Sequence, residues 1–258
     1  MLLSARPYSR LVPVYDEMLG TGFFRKLRRA FEALARRYRI RFASAADLGC
    51  GTGLFARYLA RCWDVPVFAV DASPEMLTLA RCRCSDPRVR WLRQDIRNLC
   101  LPEPVDLITA NFDTLNHLVG RGDLQQAFRR IHASLRPGGW FLFDFVTPCE
   151  PLGGHRVYVR QHSTAEALVT QHVRWMPRQR LLQIRVVHSR WRRPCLAVER
   201  HLERAYSPDE IAGALFDAGF TIRGVHDLET ARRAAHCLPR LLVLAQRHAR
   251  SLRHPQPN

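Results

Sequence analysis

The sequence predicts a doubly wound α/β fold, a conclusion that rests on three observations. From about Ala43, short apolar runs alternate with helical patterns, which is the order of βαβ units around a parallel sheet. At Ala45–Phe55 a strand pattern runs directly into closely spaced glycines and then a helix. The length, 258 residues, suits one core with an elaboration better than two full domains.

The elements follow in order. Phe23, Phe24, Leu27, Phe31, Leu34 and Tyr38 recur at helical intervals between basic residues, so residues 1–42 are expected to form a helical cap packing one face on the core. Residues 43–150 carry the alternation, with strands at Ala45–Leu48, Val67–Val70, Val89–Leu92, Val105–Ala110 and Trp140–Phe145. Ser73 is placed to cap a helix that Pro74 opens. Residues 151–205 lose the alternation. Val157–Val159, Ala167–Trp175, Leu181–Trp191 and Ala197–Leu202 read as extended, with breaks at Pro177 and Pro194, hence an antiparallel insertion serving as a lid or a homodimer contact. Residues 206–248 close the core: Ser207 and Glu210 form a capping-box pattern ahead of a helix, Gly219 ends it, and strands follow at Phe220–Val225 and Leu241–Ala245. Residues 249–258 have nothing to bury and are expected to be disordered.

Composition narrows the function classes. No apolar run approaches the roughly 20 residues of a spanning helix, and the N-terminus lacks a secretory pattern, so no membrane association and a cytoplasmic location are expected. The net charge of +17 raises nucleic acid as a partner. Lys26 is the single lysine, so the excess is nearly all arginine and reads as readily as a solvated surface. None of the eight cysteines lies in a pattern with zinc-ligand spacing, and no metal is expected.

The segment Asp47-Leu-Gly49-Cys-Gly51-Thr-Gly53 lets backbone approach a ligand closely, because glycine accepts positive φ and presents no side chain. Its spacing is not the dinucleotide G-x-G-x-x-G, and no G-K-[ST] follows, which disfavours a dehydrogenase or NTPase. Asp71 ends the second strand, where a carboxylate can accept from ribose hydroxyls. Asp95 ends the third, placed for an adenine amino group. Asn111 and Phe112 end the fourth, at the carboxyl edge where open α/β sheets bind ligands.

Jointly, Asp47–Gly53, Asp71, Asp95-Ile96 and the Leu135-Arg-Pro-Gly-Gly139 turn resemble class I S-adenosylmethionine-dependent methyltransferases. The resemblance implies a Rossmann-like seven-stranded sheet with its last strand antiparallel and the insertion between strands 5 and 6. It also implies a cofactor, S-adenosyl-L-methionine, held by Tyr15, Asp47, Gly49, Cys50, Gly51, Gly53, Asp71, Ala72, Met76, Asp95, Ile96, Asn111 and Phe112. Val14-Tyr15-Asp16, the Asn111–Leu118 segment and the insertion resemble small-molecule methyltransferases, including amino-sugar N-methyltransferases.

The expected reaction is methyl transfer to an amine or hydroxyl of a small-molecule acceptor. In-line displacement asks chiefly for positioning and exclusion of water. His117 is the candidate base, and Tyr15 is the candidate to close over the methionine end or orient the acceptor. Two alternatives stand beside it. One is an RNA methyltransferase, in which insertion arginines such as Arg160, Arg174 and Arg185 contact phosphates while Tyr158, Trp175 and Trp191 stack on bases. The other is a catalytically silent cofactor-binding protein.

Overall fold

The computed structural model describes residues 2–5, 8, 11–150, 152–163, 167–190, 193–234 and 238–248. The expected disordered tail, Trp191 and Arg192 lie outside the described residues.

In chain order the elements are β1 (Leu2–Ala5), α1 (Val12–Tyr15), a π-helical turn (Asp16–Gly20), α2 (Thr21–Arg37), β2 (Ala45–Leu48), α3 (Leu54–Cys62), β3 (Val67–Asp71), α4 (Pro74–Arg83), β4 (Val89–Arg93) and β5 (Val105–Ala110). There follow α5 (Asp123–Ser134), β6 (Leu135–Val146), β7 (Val157–Ser163), β8 (Ala167–Met176), β9 (Leu181–Arg190), β10 (Arg193–Arg204), α6 (Pro208–Asp217), β11 (Phe220–His226) and β12 (Arg240–Arg247).

Seven strands form one sheet in the order β11-β12-β6-β5-β2-β3-β4. β12 is antiparallel to both neighbours, while β6, β5, β2, β3 and β4 run parallel. The chain winds outward in both directions from β2 and β5. The crevice beyond their carboxyl ends is therefore the place where such a sheet binds a ligand. Alternation along β6 shows how the sheet divides the core: Phe141, Phe143 and Phe145 pack on one face with Phe128 and Ile211, and Leu142 packs on the other with Phe31, Phe55 and Leu59.

Helix ends follow the expected chemistry. Ser73 accepts from Met76 N at 3.2 Å with Pro74 opening α4, and Ser207 and Glu210 form a reciprocal capping box on α6. On α2, Leu27, Phe31 and Leu34 are buried against α3 and the sheet. α5 was not singled out from the sequence.

The insertion lies between β6 and β11, as expected, in a second sheet of order β1-β10-β9-β8-β7. Its four own strands are antiparallel. The N-terminal segment corrects the helical-cap expectation: residues 2–5 form a strand that pairs in parallel with residues 196–199 of β10. Four residues carry no helical or alternating period of their own, and their conformation is set by the open edge of β10. A third apolar cluster, including Leu11, Met18, Val146, Val173, Leu182 and Val186, seats the insertion on the main sheet. Trp175 packs against that cluster, while Tyr158 stays exposed with the Arg160 guanidinium 5.7 Å from its ring centre.

Candidate active site

A cavity of ≈ 410 Å³ opens at the carboxyl ends of β2, β3 and β4. It brings together Tyr15, Gly49, Gly51, Asp71, Ala72, Met76, Asp95, Ile96, Phe112 and His117. Asp47, Cys50 and Asn111 line a smaller pocket of ≈ 60 Å³ on the other side of the glycine loop, which shares Tyr15, Gly49, Gly51 and Phe112 with the first. Gly53 lines neither.

The three loop glycines all have positive φ, but for different reasons. A Cβ on Gly49 would lie 2.1 Å from Thr114 Oγ1, and one on Gly53 would lie 2.5 Å from Trp91 Cη2. Those two admit neighbouring side chains. Gly51, with φ +53°, would meet only Met76 Sδ at 4.0 Å. Its missing side chain leaves room in the cavity itself, a cradle that a Cβ would fill.

Asp71 accepts from Gly51 N and from Ser73 N, both at 2.8 Å, one on each oxygen. Two fixed backbone donors orient the carboxylate, and its other lone pairs are free to accept from a pair of vicinal hydroxyls. Burial raises its pKa, opposed by those backbone bonds. Asp47 is pushed by burial to about 7 and accepts from Thr109 Oγ1 at 2.8 Å, bracing the loop from beneath.

Asp95 departs from the simple expectation. Its carboxylate is forked by Arg97, with Nη2 at 2.5 Å and Nε at 3.0 and 3.1 Å, and it accepts from Arg97 N at 2.9 Å. The Arg97 side chain holds its pKa below the ordinary value. An adenine amino group would share an oxygen that already serves a guanidinium.

Beyond β5 the backbone is strained. Phe112 and Asp113 both have positive φ, 57° and 66°, a conformation that costs about 1–3 kcal/mol per non-glycine residue and concentrates at functional sites. The surroundings enforce it: Phe112 N donates to Asp144 Oδ1 at 2.5 Å, Asp144 and Asp113 both pair with Arg240, and the Phe112 ring stacks on Phe23 with centroids 4.1 Å apart. Asn111, 7% exposed, has no hydrogen-bond partner for either side-chain polar atom among the described residues. A buried amide left open in both senses is fitted to a ligand with both donors and acceptors.

The far wall is aromatic. Tyr15 leads into the π-helical turn, a feature frequent at functional sites. That turn is tied to the glycine loop by Thr52 Oγ1 donating to Asp16 Oδ1 at 2.6 Å. Tyr8, which the sequence reading missed, packs edge-on to Tyr15 and His201, and its hydroxyl lies 2.7 Å from His117 Nε2. Which of the two groups donates depends on the tautomer of the ring. Burial pushes His117 down to about 4. The ring is therefore neutral at physiological pH and poorly matched to the near-neutral base expected of it.

Residues 45–139 match the model of the family described as methyltransferase domain. Over that segment the chain is similar to methyltransferase domains. It is 30% identical over 151 residues to the dTDP-3-amino-3,6-dideoxy-alpha-D-glucopyranose N,N-dimethyltransferase of Streptomyces fradiae, covering 54% of this chain and 58% of that protein. The chain spans a little over half the length of that relative and of the putative methyltransferase YqeM of Bacillus subtilis, which it also matches. Over the whole fold it is similar to a crystal structure of an S-adenosylmethionine-dependent methyltransferase from Clostridium acetobutylicum, with TM-score 0.77, 22% identity and 93% and 99% of the two chains covered. It is likewise similar to Streptomyces venezuelae DesVI, with TM-score 0.74, 16% identity and 93% and 98% covered. Among the described residues no helix is long and apolar enough to cross a membrane.

Proposed function

We propose that the protein is an S-adenosylmethionine-dependent methyltransferase acting on the amine of a small molecule, of the amino-sugar kind named for its Streptomyces fradiae relative. The observation that carries the reading is the Gly51–Asp71 cradle facing a wall of Tyr8, Tyr15, Phe112 and His117 across one cavity.

In this reading Asp71 holds the ribose hydroxyls, Gly51 and Met76 lie against the nucleoside, and Asp95 and Ile96 border the adenine. Gly49, Cys50, Asn111 and Tyr15 surround the methionine end, with Asp47 and Gly53 shaping the loop. Bound S-adenosylmethionine supplies an electrophilic methyl group on a sulfonium. The chain's own residues exclude water with the aromatic wall and fix the acceptor. Tyr8, held by His117, aims its hydroxyl oxygen along that wall, so His117 is a positioning residue.

The low pKa of His117 favours an amine over a hydroxyl. An amine attacks through its own lone pair and sheds a proton afterwards, whereas a hydroxyl requires a base during attack. The inward packing of Trp175 favours a half-buried sheet over an RNA stacking platform in the insertion. The cytoplasmic location and a homodimer formed through the insertion belong to the same proposal. Transfer of labelled methyl from S-adenosylmethionine to amino-sugar acceptors tests it. Transfer to amines and not to their hydroxyl counterparts is expected, with a lower kcat in Tyr8→Phe, and transfer to hydroxyls alone would overturn the amine assignment.

A further inference from the structure

Two more cavities continue from the first toward the insertion. A throat of ≈ 80 Å³ shares Tyr8, Tyr15 and Phe112 with it. Beyond the throat a cavity of ≈ 430 Å³ lies between Phe23 on α2 and the strands of the insertion. Glu203, on β10, lines both the throat and the outer cavity.

Glu203 is 5% exposed, and among the described residues no donor hydrogen-bonds its carboxyl group. The nearest charged or chargeable nitrogen paired with it is His117 Nε2, at 3.8 Å, and that nitrogen already faces the Tyr8 hydroxyl at 2.7 Å. The other acidic groups nearby each have a close partner. Asp113 and Asp144 pair with Arg240, Glu17 lies 3.1 Å from His162 Nε2, and Glu199 accepts from Tyr8 N and Leu11 N at 3.0 and 2.8 Å. Among the described residues, Glu203 alone in this group faces the cavities with neither a hydrogen-bond donor nor a charged or chargeable nitrogen closer than 3.8 Å.

Burying a carboxylate without a compensating donor is costly, and a leucine would fill the same volume without that cost. The group is accounted for when a cationic donor arrives through the cavity. We infer that Glu203 is the recognition group for the acceptor's amine, which sits in the throat beside Tyr8 and Phe112 while the rest of the acceptor fills the outer cavity under the insertion. A carboxylate accepts N–H bonds from an amine in either protonation state, and where the amine enters as ammonium the Glu203 carboxylate takes one of its protons, which leaves the nitrogen lone pair free for attack. A hydroxyl in the same place offers one donor and no charge, so Glu203 determines specificity for amines. Burial and the neighbouring Asp113 raise the Glu203 pKa, and Arg240 opposes them.

This inference rests on the amine reading proposed above. Its test is calorimetry on protein saturated with S-adenosylhomocysteine, titrated at millimolar concentration with 3-amino-3-deoxy-D-glucose and with D-glucose, two probes that differ by one amine. The wild type is expected to bind the amino sugar at least about tenfold tighter, and Glu203→Gln to lose that preference while keeping its S-adenosylhomocysteine affinity and its circular dichroism spectrum. Equal binding of the two probes, no binding of either, or a preference that survives in Glu203→Gln overturns the role of Glu203. Failure of the wild type to take up S-adenosylhomocysteine overturns the methyltransferase reading instead, before any sugar is added.

Discussion

Replacing Gly51 and Gly53 separately by alanine separates ligand space from packing space within one loop. Both positions have positive φ, +53° and +81°, so each alanine bears a backbone cost of about 1–2 kcal/mol. At Gly51 nothing but Met76 Sδ, at 4.0 Å, meets the new methyl. The melting temperature should then fall by only about 2–8 °C, since 1 kcal/mol corresponds to about 2–4 °C at this chain length. At Gly53 the methyl lies 2.5 Å from Trp91 Cη2 and 2.9 Å from Cζ3, and overpacking of that kind adds about 1–3 kcal/mol. The fall should be about twice as large. Ligand affinity should reverse the order. The Gly51 methyl projects into the cavity and would displace a nucleoside from backbone and Asp71 contacts together. Loss of one hydrogen bond to a charged group, about 1.5–3 kcal/mol, weakens S-adenosylhomocysteine binding by about 10- to 100-fold. Gly53→Ala should bind within a few-fold of wild type at a temperature where it is folded. Thermal melts and calorimetry on both variants decide the matter, and a Gly51→Ala protein that binds normally would refute the placement of the ligand against the loop.

Three further outcomes are expected. His117, held near 4 by burial, binds its proton more weakly in the folded than in the unfolded chain, so stability is lost as pH falls from about 6.5 to about 4. The loss is about 3 kcal/mol at most, and urea melts of His117→Asn should show a flatter profile across that window. Ser207→Ala removes the side chain that accepts from Glu210 N at 3.2 Å and should cost about 0.5–2 kcal/mol, read as a lower denaturation midpoint with no change in ligand affinity. β7 is the edge of the insertion sheet and exposes Val157, Tyr158 and Val159. If the homodimer forms there, Val157→Lys should shift the species seen by light scattering from dimer to monomer.

What the sequence made legible was local. The glycine loop, Asp71 and the strand ends are set by residues within a few positions of one another, and the Ser207–Glu210 capping box is a four-residue pattern. The antiparallel insertion was visible because β-branched and apolar residues alternate with charges over four successive runs. What was not legible depends on distant partners. β1 is a strand because β10, about 190 residues away, offers an edge, and Tyr8 reaches His117 because that strand and Glu199 deliver it there. Glu203 looks like one charge among many on β10 until the fold buries it beside Asp113. Arg97 beside Asp95 was readable in principle, since the two are only two residues apart, but residue types alone do not show that the carboxylate is already engaged.

The most direct test of the cofactor site is calorimetric titration of S-adenosylhomocysteine into the wild type and Asp71→Ala. Micromolar or tighter binding in the wild type and at least about 100-fold weaker binding in the variant are expected, because Asp71 supplies the carboxylate that Gly51 N and Ser73 N hold in place. Undetectable heat in both proteins, with native circular dichroism, would contradict the assignment of this cavity to S-adenosylmethionine.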